Sequence, residues 1–308
     1  MKASAFTTFL FSGVLAILAT DSQAEVPRVE TDFGPVVLDH PRVDKRFSDI
    51  IPPERIQRII CLTERGLIYH NRGQPDYHSL VQADYDGLIA HLIASNEKAG
   101  FGHGLPNGNE GFGSRLLFVT TDNQIFEVEI LTRGGPTRNV SAILIRGSGI
   151  NARINVNGLK ATAADSRVPS VEIDFGSMEA PEWRGKRLSE IVSRDSIKRI
   201  VLTQQTTWLF DRFRWRINLP ETQPLYDALV AHFFSSTEKA ANGSLAANER
   251  TLAELMLLTT NGEMFRLEIL GGSAIGKSAE KPIAILLHGG NKGARINVKD
   301  FKFKNPKQ

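Results

Sequence analysis

The chain has 308 residues, a formal net charge of +3, 41% hydrophobic residues and one cysteine. A single cysteine excludes an internal disulfide framework, and so small an excess of positive charge argues against a nucleic-acid-binding protein. Cys61 lies within an apolar run, residues 59–62, so we interpret it as a small buried side chain rather than a catalytic thiolate.

Residues 1–24 have the pattern of a secretory signal peptide. Lys2 supplies the positive charge, residues 9–19 form the apolar segment, and Ser22 and Ala24 are small residues at the −3 and −1 positions of a cleavage site. This apolar segment is too short to cross a bilayer, which takes about twenty residues. We therefore predict a soluble, exported protein, periplasmic or extracellular, with no transmembrane segment after cleavage.

The elements that follow predict an α+β unit, an antiparallel sheet of about five or six strands packed against one main helix. The helix covers residues 85–99, where apolar side chains recur at helical spacing along one stripe. In chain order, the other expected elements are an opening strand at 29–33, a helical turn at 47–51, a strand at 58–63, a hairpin at 116–131, and strands at 142–146 and 152–156.

Residues 116–131, LLFVTTDNQIFEVEIL, are matched by LMLLTTNGEMFRLEIL at residues 255–270. Both copies alternate apolar and polar residues after a turn, and both turns contain residues that accept a positive φ. Similar matches run from end to end, so the sequence predicts a tandem duplication. The boundaries are a signal peptide at 1–24, repeat 1 at 25–160, a linker at 161–167, repeat 2 at 168–302 and a basic tail at 303–308.

A glycine-rich stretch at residues 100–114, GFGHGLPNGNEGFGS, predicts a long loop. Long loops are often binding loops, in which case Phe101, His103 and Phe112 would contact a ligand, and the alternative is a disordered segment. The stretch does not fit the G-x-G-x-x-G pattern in any register, so it does not support dinucleotide binding.

The second copy contains a row of arginines at residues 208–216, WLFDRFRWR. In a strand, the three arginines lie on one face and the neighbouring aromatics on the other, which suits a polyanion or a glycan. The alternative is an edge strand whose charges prevent aggregation. The predicted binding residues in this arginine row are Trp208, Arg212, Arg214, Trp215 and Arg216.

Two motifs resemble catalytic or nucleotide-binding signatures but lack the necessary context. Residues 271–278 match the phosphate-loop pattern, yet Pro282 and a strand follow where a helix is needed. The S-x-x-K motifs that begin at Ser95 and Ser236 lie at the C-terminal end of a predicted helix, where the dipole opposes negative charge. We predict no cofactor and no metal site, because the histidines do not have ligand spacing.

Several polar residues occupy equivalent positions in both copies and are candidate site residues. We expect Glu129 to face Arg153 if the hairpin and the last strand are neighbours, which would be a structural ion pair. Either helix histidine could act with a carboxylate from another element, such as Glu129. The candidates are His91, His232, Glu129, Glu268, Arg153 and Arg295.

These observations favour an exported two-module binding or interaction protein without evident catalytic activity. Its ligand would be anionic, a glycan, or a protein partner, because the arginine row and the long loop are the features that suit binding. Two alternatives are a cell-envelope hydrolase that uses a His–carboxylate pair, and a structural protein of the envelope.

Overall fold

The structure is a computed structural model that describes residues 26–30, 44–64, 82–100, 110–133, 139–147, 150–159, 165–173, 180–205, 219–243, 249–272, 282–299 and 301. The predicted signal peptide, the arginine row and the basic tail lie outside these residues. So does most of the predicted long loop, residues 101–109.

Four α-helices and twelve strands are described. The helices are α1 (Phe47–Ile50), α2 (Gln82–Ala94), α3 (Leu188–Ile191) and α4 (Leu219–Ser235). The strands are β1 (Val29–Glu30), β2 (Ile56–Glu64), β3 (Glu110–Thr120), β4 (Ile125–Arg133), β5 (Asn139–Gly147), β6 (Ile150–Asn155), β7 (Glu172–Ile173), β8 (Ile197–Gln205), β9 (Glu249–Thr259), β10 (Met264–Gly272), β11 (Pro282–Gly289) and β12 (Lys292–Asn297). None of the described helices combines the length and hydropathy needed to cross a membrane.

The strands form two six-stranded sheets, which confirms the predicted α+β class. Sheet I has the order β6-β5-β4-β3-β2-β7, and sheet II has the order β1-β8-β9-β10-β11-β12. Five neighbouring strands of each sheet are antiparallel, and the sixth is a two-residue edge strand that runs parallel to its neighbour.

The two edge strands are exchanged between the halves of the chain. β1 pairs with β8 in sheet II, where Val29 lies opposite Ile200, although the sequence places this strand in the first predicted repeat. Val29 is fully buried in the core of sheet II, and its N–H donates to the carboxylate of Asp227 on α4 over 2.7 Å. These long-range contacts decide the location of so short a strand.

The opening strand of the second half makes the corresponding contacts in sheet I. β7 pairs with β2 in sheet I, and the buried side chain of Val171 belongs to the core of that sheet. The N–H of Val171 donates to the carboxylate of Asp86 on α2, again over 2.7 Å. Each main helix therefore holds the opening strand of the other half through an aspartate.

Helix α2 ends at Ala94, about one turn before the predicted end at residue 99. The chain beyond it forms β-bridges instead, Lys98 with Arg46 and Gly100 with Arg153. The backbone groups after the helix therefore find partners on extended segments, and local helix propensity does not prevail.

The predicted loop at residues 100–114 is shorter in the structure, because β3 begins at Glu110. The last part of the glycine-rich stretch pairs closely with β4. A Cβ atom at Gly113 would lie 2.7 Å from the carbonyl oxygen of Ile130, so this position requires glycine. Phe112 consequently lies in a strand rather than in a loop.

The hairpin turns have the backbone conformation that their sequences indicate. Asn123 has a φ of 62° and the equivalent Gly262 has a φ of 83°. Both residues tolerate the left-handed region, which is why they serve at equivalent positions in the two turns.

Buried clusters of side chains link each sheet with one long helix and with the other sheet. Residues of α2 share a buried cluster with sheet I, and residues of α4 share one with sheet II. A third cluster joins the inner faces, with Ile60 and Leu117 from sheet I and Met256 and Met264 from sheet II among its members. The inner faces are therefore packed against each other.

Both hairpin turns lie at one end of the stacked sheets. Arg58 donates to the carbonyl oxygen of Gly262 over 2.8 Å, and Arg199 donates to the carbonyl oxygen of Asn123. At the opposite end, β2 ends beside Ser114 and β8 ends beside Ala253. We call this second end the loop end.

Candidate functional site: an ionic cluster between the sheets

Arg115, on the inner face of β3, joins the two sheets through buried ion pairs. It makes a bidentate contact with Glu127 of β4, at 3.1 and 3.0 Å, and its Nη1 lies 2.5 Å from Glu254 of β9. All three side chains are almost fully buried. Burial alone would lower the pKa of Arg115, but the two carboxylates outweigh this effect and raise the pKa, so the guanidinium remains charged.

The cluster continues within sheet II. Glu268 of β10 lies 3.3 Å from Arg266 and 3.3 Å from the Nε2 atom of His288 on β11. Burial would raise the pKa of Glu268, but contacts with His288, Arg266 and Thr251 prevail and lower the pKa to about 2.

The signs of the charges differ between the halves at equivalent positions. Arg115 is equivalent to Glu254, and Glu127 is equivalent to Arg266. Because Arg115 and Glu254 contact each other, identical halves would bring two like charges together in the interior. The cluster thus makes the inner face of sheet I complementary to that of sheet II.

Some polar atoms of the cluster form no hydrogen bond within the described part of the chain. These atoms are buried: Glu254 Oε1, Arg266 Nε and Nη1, and both ring nitrogens of His288. The His288–Glu268 contact has the distance of an ion pair but not the direction of a hydrogen bond. Buried polar groups of this kind bind ordered water in native proteins.

Acid should weaken the protein through Glu268. Its folded-state pKa lies below the ordinary value of 4.5, so its contribution to stability is present above pH 4.5 and is lost as the pH falls toward about 2. We expect Glu268→Gln to make the unfolding free energy less dependent on pH in that window, by up to about 1.4 kcal/mol per pH unit. Urea unfolding of both proteins between pH 2.5 and 7 measures this, and parallel curves would contradict it.

The structure pairs the shared acidic and basic residues differently from our expectation. Glu129 contacts Arg146 at 3.2 Å rather than Arg153, because β5 lies between β4 and β6. Arg153 instead donates to both carboxylate oxygens of Glu110, at 2.8 and 2.9 Å.

The second half repeats this arrangement, since Arg295 donates to both carboxylate oxygens of Glu249 at 2.8 and 2.7 Å. Arg153 and Arg295 also donate to Asn155 and Asn297, respectively, over 3.1 Å. The two shared arginines therefore have structural partners in the sheets.

The two helix histidines do not have a described carboxylate partner. The Nε2 atom of His232 lies 3.0 Å from the carbonyl oxygen of Lys299, and the ring packs against Phe301. The Nε2 atom of His91 is buried and has no hydrogen-bond partner among the described residues. Among the residues that the structure describes, this is not the geometry that a general base requires.

Two buried tyrosines on α2 and α4 differ in their hydrogen bonding. On α2, the hydroxyl of Tyr85 lies 2.6 Å from that of Ser114. In the second half, Ala253 occupies the position equivalent to Ser114 and has no hydroxyl to offer Tyr226. The hydroxyl of Tyr226 is consequently buried and unpaired within the described part of the chain, and burial raises its pKa.

This difference predicts opposite effects for two substitutions. Ser114→Ala should lower the unfolding free energy by about 1–3 kcal/mol, because it leaves the Tyr85 hydroxyl without this partner. Ala253→Ser should raise it by about 1 kcal/mol, because it supplies a partner for Tyr226. Urea unfolding measures both, and a loss of stability for both variants would show that the serine does not fit at position 253.

The predicted binding residues are mostly not among those described. Trp208, Arg212, Arg214, Trp215, Arg216, Phe101 and His103 lie outside the described residues. Cys61 is fully buried in β2 and forms no disulfide within the chain. The described residues contain no group of three or more His, Cys, Asp or Glu side chains that could hold a metal ion.

The candidate residues predicted from the sequence do not include Arg115, Glu127, Glu254 or Arg266. A signal for them exists when the two halves of the sequence are aligned, because each of these positions carries a charge in both halves. The charge has opposite signs in the two halves, which is the pattern expected for residues that meet across an interface.

The fold and the cluster define an α+β protein of two stacked sheets with exchanged edge strands. Comparison of the chain with protein-family models, curated proteins and solved structures finds no match.

Proposed function

We propose that the protein is an exported binding protein whose two modules arose by tandem duplication. Each module is an antiparallel sheet packed against one main helix, and the loop end recognises an anionic or glycan-type ligand. The repeated sequence supports the duplication, as does the order strand, helix and four strands that both halves share.

The polar residues that both halves share serve internal contacts. Arg58 contacts Glu172 and Arg199 contacts Glu30, so these arginines hold the exchanged strands. Arg153 and Arg295 hold glutamates within their own sheets. Because the shared residues maintain the fold, we expect the ligand-binding residues where the halves differ, and the arginine row occurs in the second half alone.

The proposal rests on the location of the residues that flank the two candidate binding segments. Gln205 precedes residues 206–218, which contain the arginine row, and Glu110 follows residues 101–109. Both flanking residues lie at the loop end, because Arg115 and Glu254 contact each other next to Ser114 and Ala253. Segments of two modules that start from one end of a rigid scaffold are well placed to form a common binding surface.

The proposal can be tested with the variant in which Arg212, Arg214 and Arg216 are replaced by alanine. Fluorescence anisotropy with fluorescein-labelled heparin as the polyanion should show binding at least about tenfold weaker than that of the unsubstituted protein, a loss of about 1.4 kcal/mol. The control carries the same loss of charge on exposed residues of the first half, Arg28, Lys45 and Arg55. Equal affinities for the two variants would contradict the proposal.

A further inference from the structure

Both halves place two cations directly opposite each other on neighbouring extended segments. Arg46 forms a β-bridge with Lys98 in the first half, and the equivalent Arg187 forms one with Lys239 in the second. Like charges that face each other across such a bridge repel and destabilise the pairing. Each pair therefore needs an anion nearby.

The first half supplies that anion from its own chain. Asp49 accepts hydrogen bonds from Nε and Nη2 of Arg46 at 3.2 and 3.1 Å, and Asp44 lies 3.1 Å from the ammonium group of Lys98. The contact with Arg46 lowers the pKa of Asp49. Both cations of this pair are neutralised internally.

The second half lacks the corresponding acid. Gly185 stands at the position equivalent to Asp44, with a φ of +79° that favours glycine. Glu190, equivalent to Asp49, accepts the backbone N–H of Arg187 over 2.6 Å.

The other acids beside the pair already have cations of their own. Glu182 lies 2.7 Å from Lys292, and Glu238 lies 3.0 Å from Lys299. Four further cations here are solvent-exposed and form no ion pair with any described residue: Arg184, Lys186, Arg187 and Lys239.

We propose that these four residues, the basic turn, bind a linear anionic polymer that carries repeated sulfate, phosphate or carboxylate groups. One phosphate group carries about −2 at most, so four exposed cations without an ion pair in the described part of the chain exceed what a single group can neutralise. Apart from the adjacent residues Arg184 and Lys186, no described atom lies within 4 Å of a Cβ atom built on Gly185, which leaves room for a polymer to approach the turn.

A polymer fits this surface better than a bilayer does. Stable attachment to a membrane surface combines basic residues with an apolar anchor. The exposed large hydrophobic residue in the described part of the chain is Leu159, which lies in the first half, and Trp183 beside the turn is buried. The basic turn thus offers charge without an apolar anchor.

This inference goes beyond the proposed function, because the basic turn shares no residue with the arginine row. The test uses Arg187→Gln with Lys239→Gln, and its matched control is Arg46→Gln with Lys98→Gln, which removes the same charges from the neutralised pair. In anisotropy with labelled heparin, the second-half variant should bind at least about tenfold more weakly, and the control should change less than about twofold.

A second measurement does not depend on the polymer. Removal of the uncompensated pair should raise the Tm by about 1–2 °C, whereas the control should lower it, because the control loses ion pairs. Equal losses of heparin affinity in both variants would overturn the inference. So would binding to phosphatidylglycerol vesicles without binding to heparin. A variant of the arginine row that leaves heparin binding intact contradicts the proposed function alone.

Discussion

Replacement of Arg115 by methionine should lower the free energy of unfolding by about 3–5 kcal/mol, which is the cost of removing one partner from a buried ionic group. Glu127 and Glu254 would remain in the interior, where the low dielectric makes an uncompensated carboxylate expensive. Urea unfolding monitored by circular dichroism measures the loss.

Arg133→Met provides the control, because Arg133 is 69% exposed and its nearest contact to Glu110 is 3.9 Å. Its effect should remain below about 1 kcal/mol. The triple variant in which Arg115 becomes methionine and Glu127 and Glu254 become leucine should recover most of the lost stability, since no charge is then left unpaired. A loss below 1 kcal/mol for Arg115→Met would show that the three charges are not coupled in this way.

Replacement of Val29 by alanine should loosen the second half of the protein, although Val29 lies near the N-terminus. Its side chain is fully buried in the core of sheet II, so we expect a loss of about 1–3 kcal/mol. Hydrogen exchange with mass spectrometry should show reduced amide protection in β8, the strand that pairs with β1.

Val171→Ala is the matched control, and its effect is expected in the other sheet. Val171 is buried in the core of sheet I, so its replacement should reduce protection in β2. If Val29→Ala reduced protection in β2 and left β8 unchanged, the edge strands would not be exchanged in solution.

The local elements of this protein can be read from its sequence. The apolar stripe of α2, the alternation along β4 and the turn residues Asn123 and Gly262 depend on neighbours within a few positions, so their patterns survive in the sequence. The boundaries of these elements depend on distant contacts as well, so local patterns do not specify them. The end of α2 at Ala94 is set by the bridge from Lys98 to Arg46, which no local pattern encodes.

The residues of the candidate site are harder to predict from the sequence than the local elements. The binding roles of the arginine row and of residues 101–109 follow from composition alone, and they remain predictions. The ionic cluster is not predicted, because its central contact joins Arg115 to Glu254, two residues 139 positions apart, and a single charged residue carries no sign of so distant a partner. Only the alignment of the two halves gives a hint, through the reversal of charge at that position.

The sequence by itself determined the α+β class and the internal similarity of the two halves. Tertiary structure alone decided which sheet receives each opening strand, and which charges meet between the sheets. Periodicity specifies which face of a strand is apolar, but it does not specify the neighbouring strand. That choice depends on contacts such as the bond from Val29 to Asp227, which lies 198 residues away and forms only when both cores are assembled.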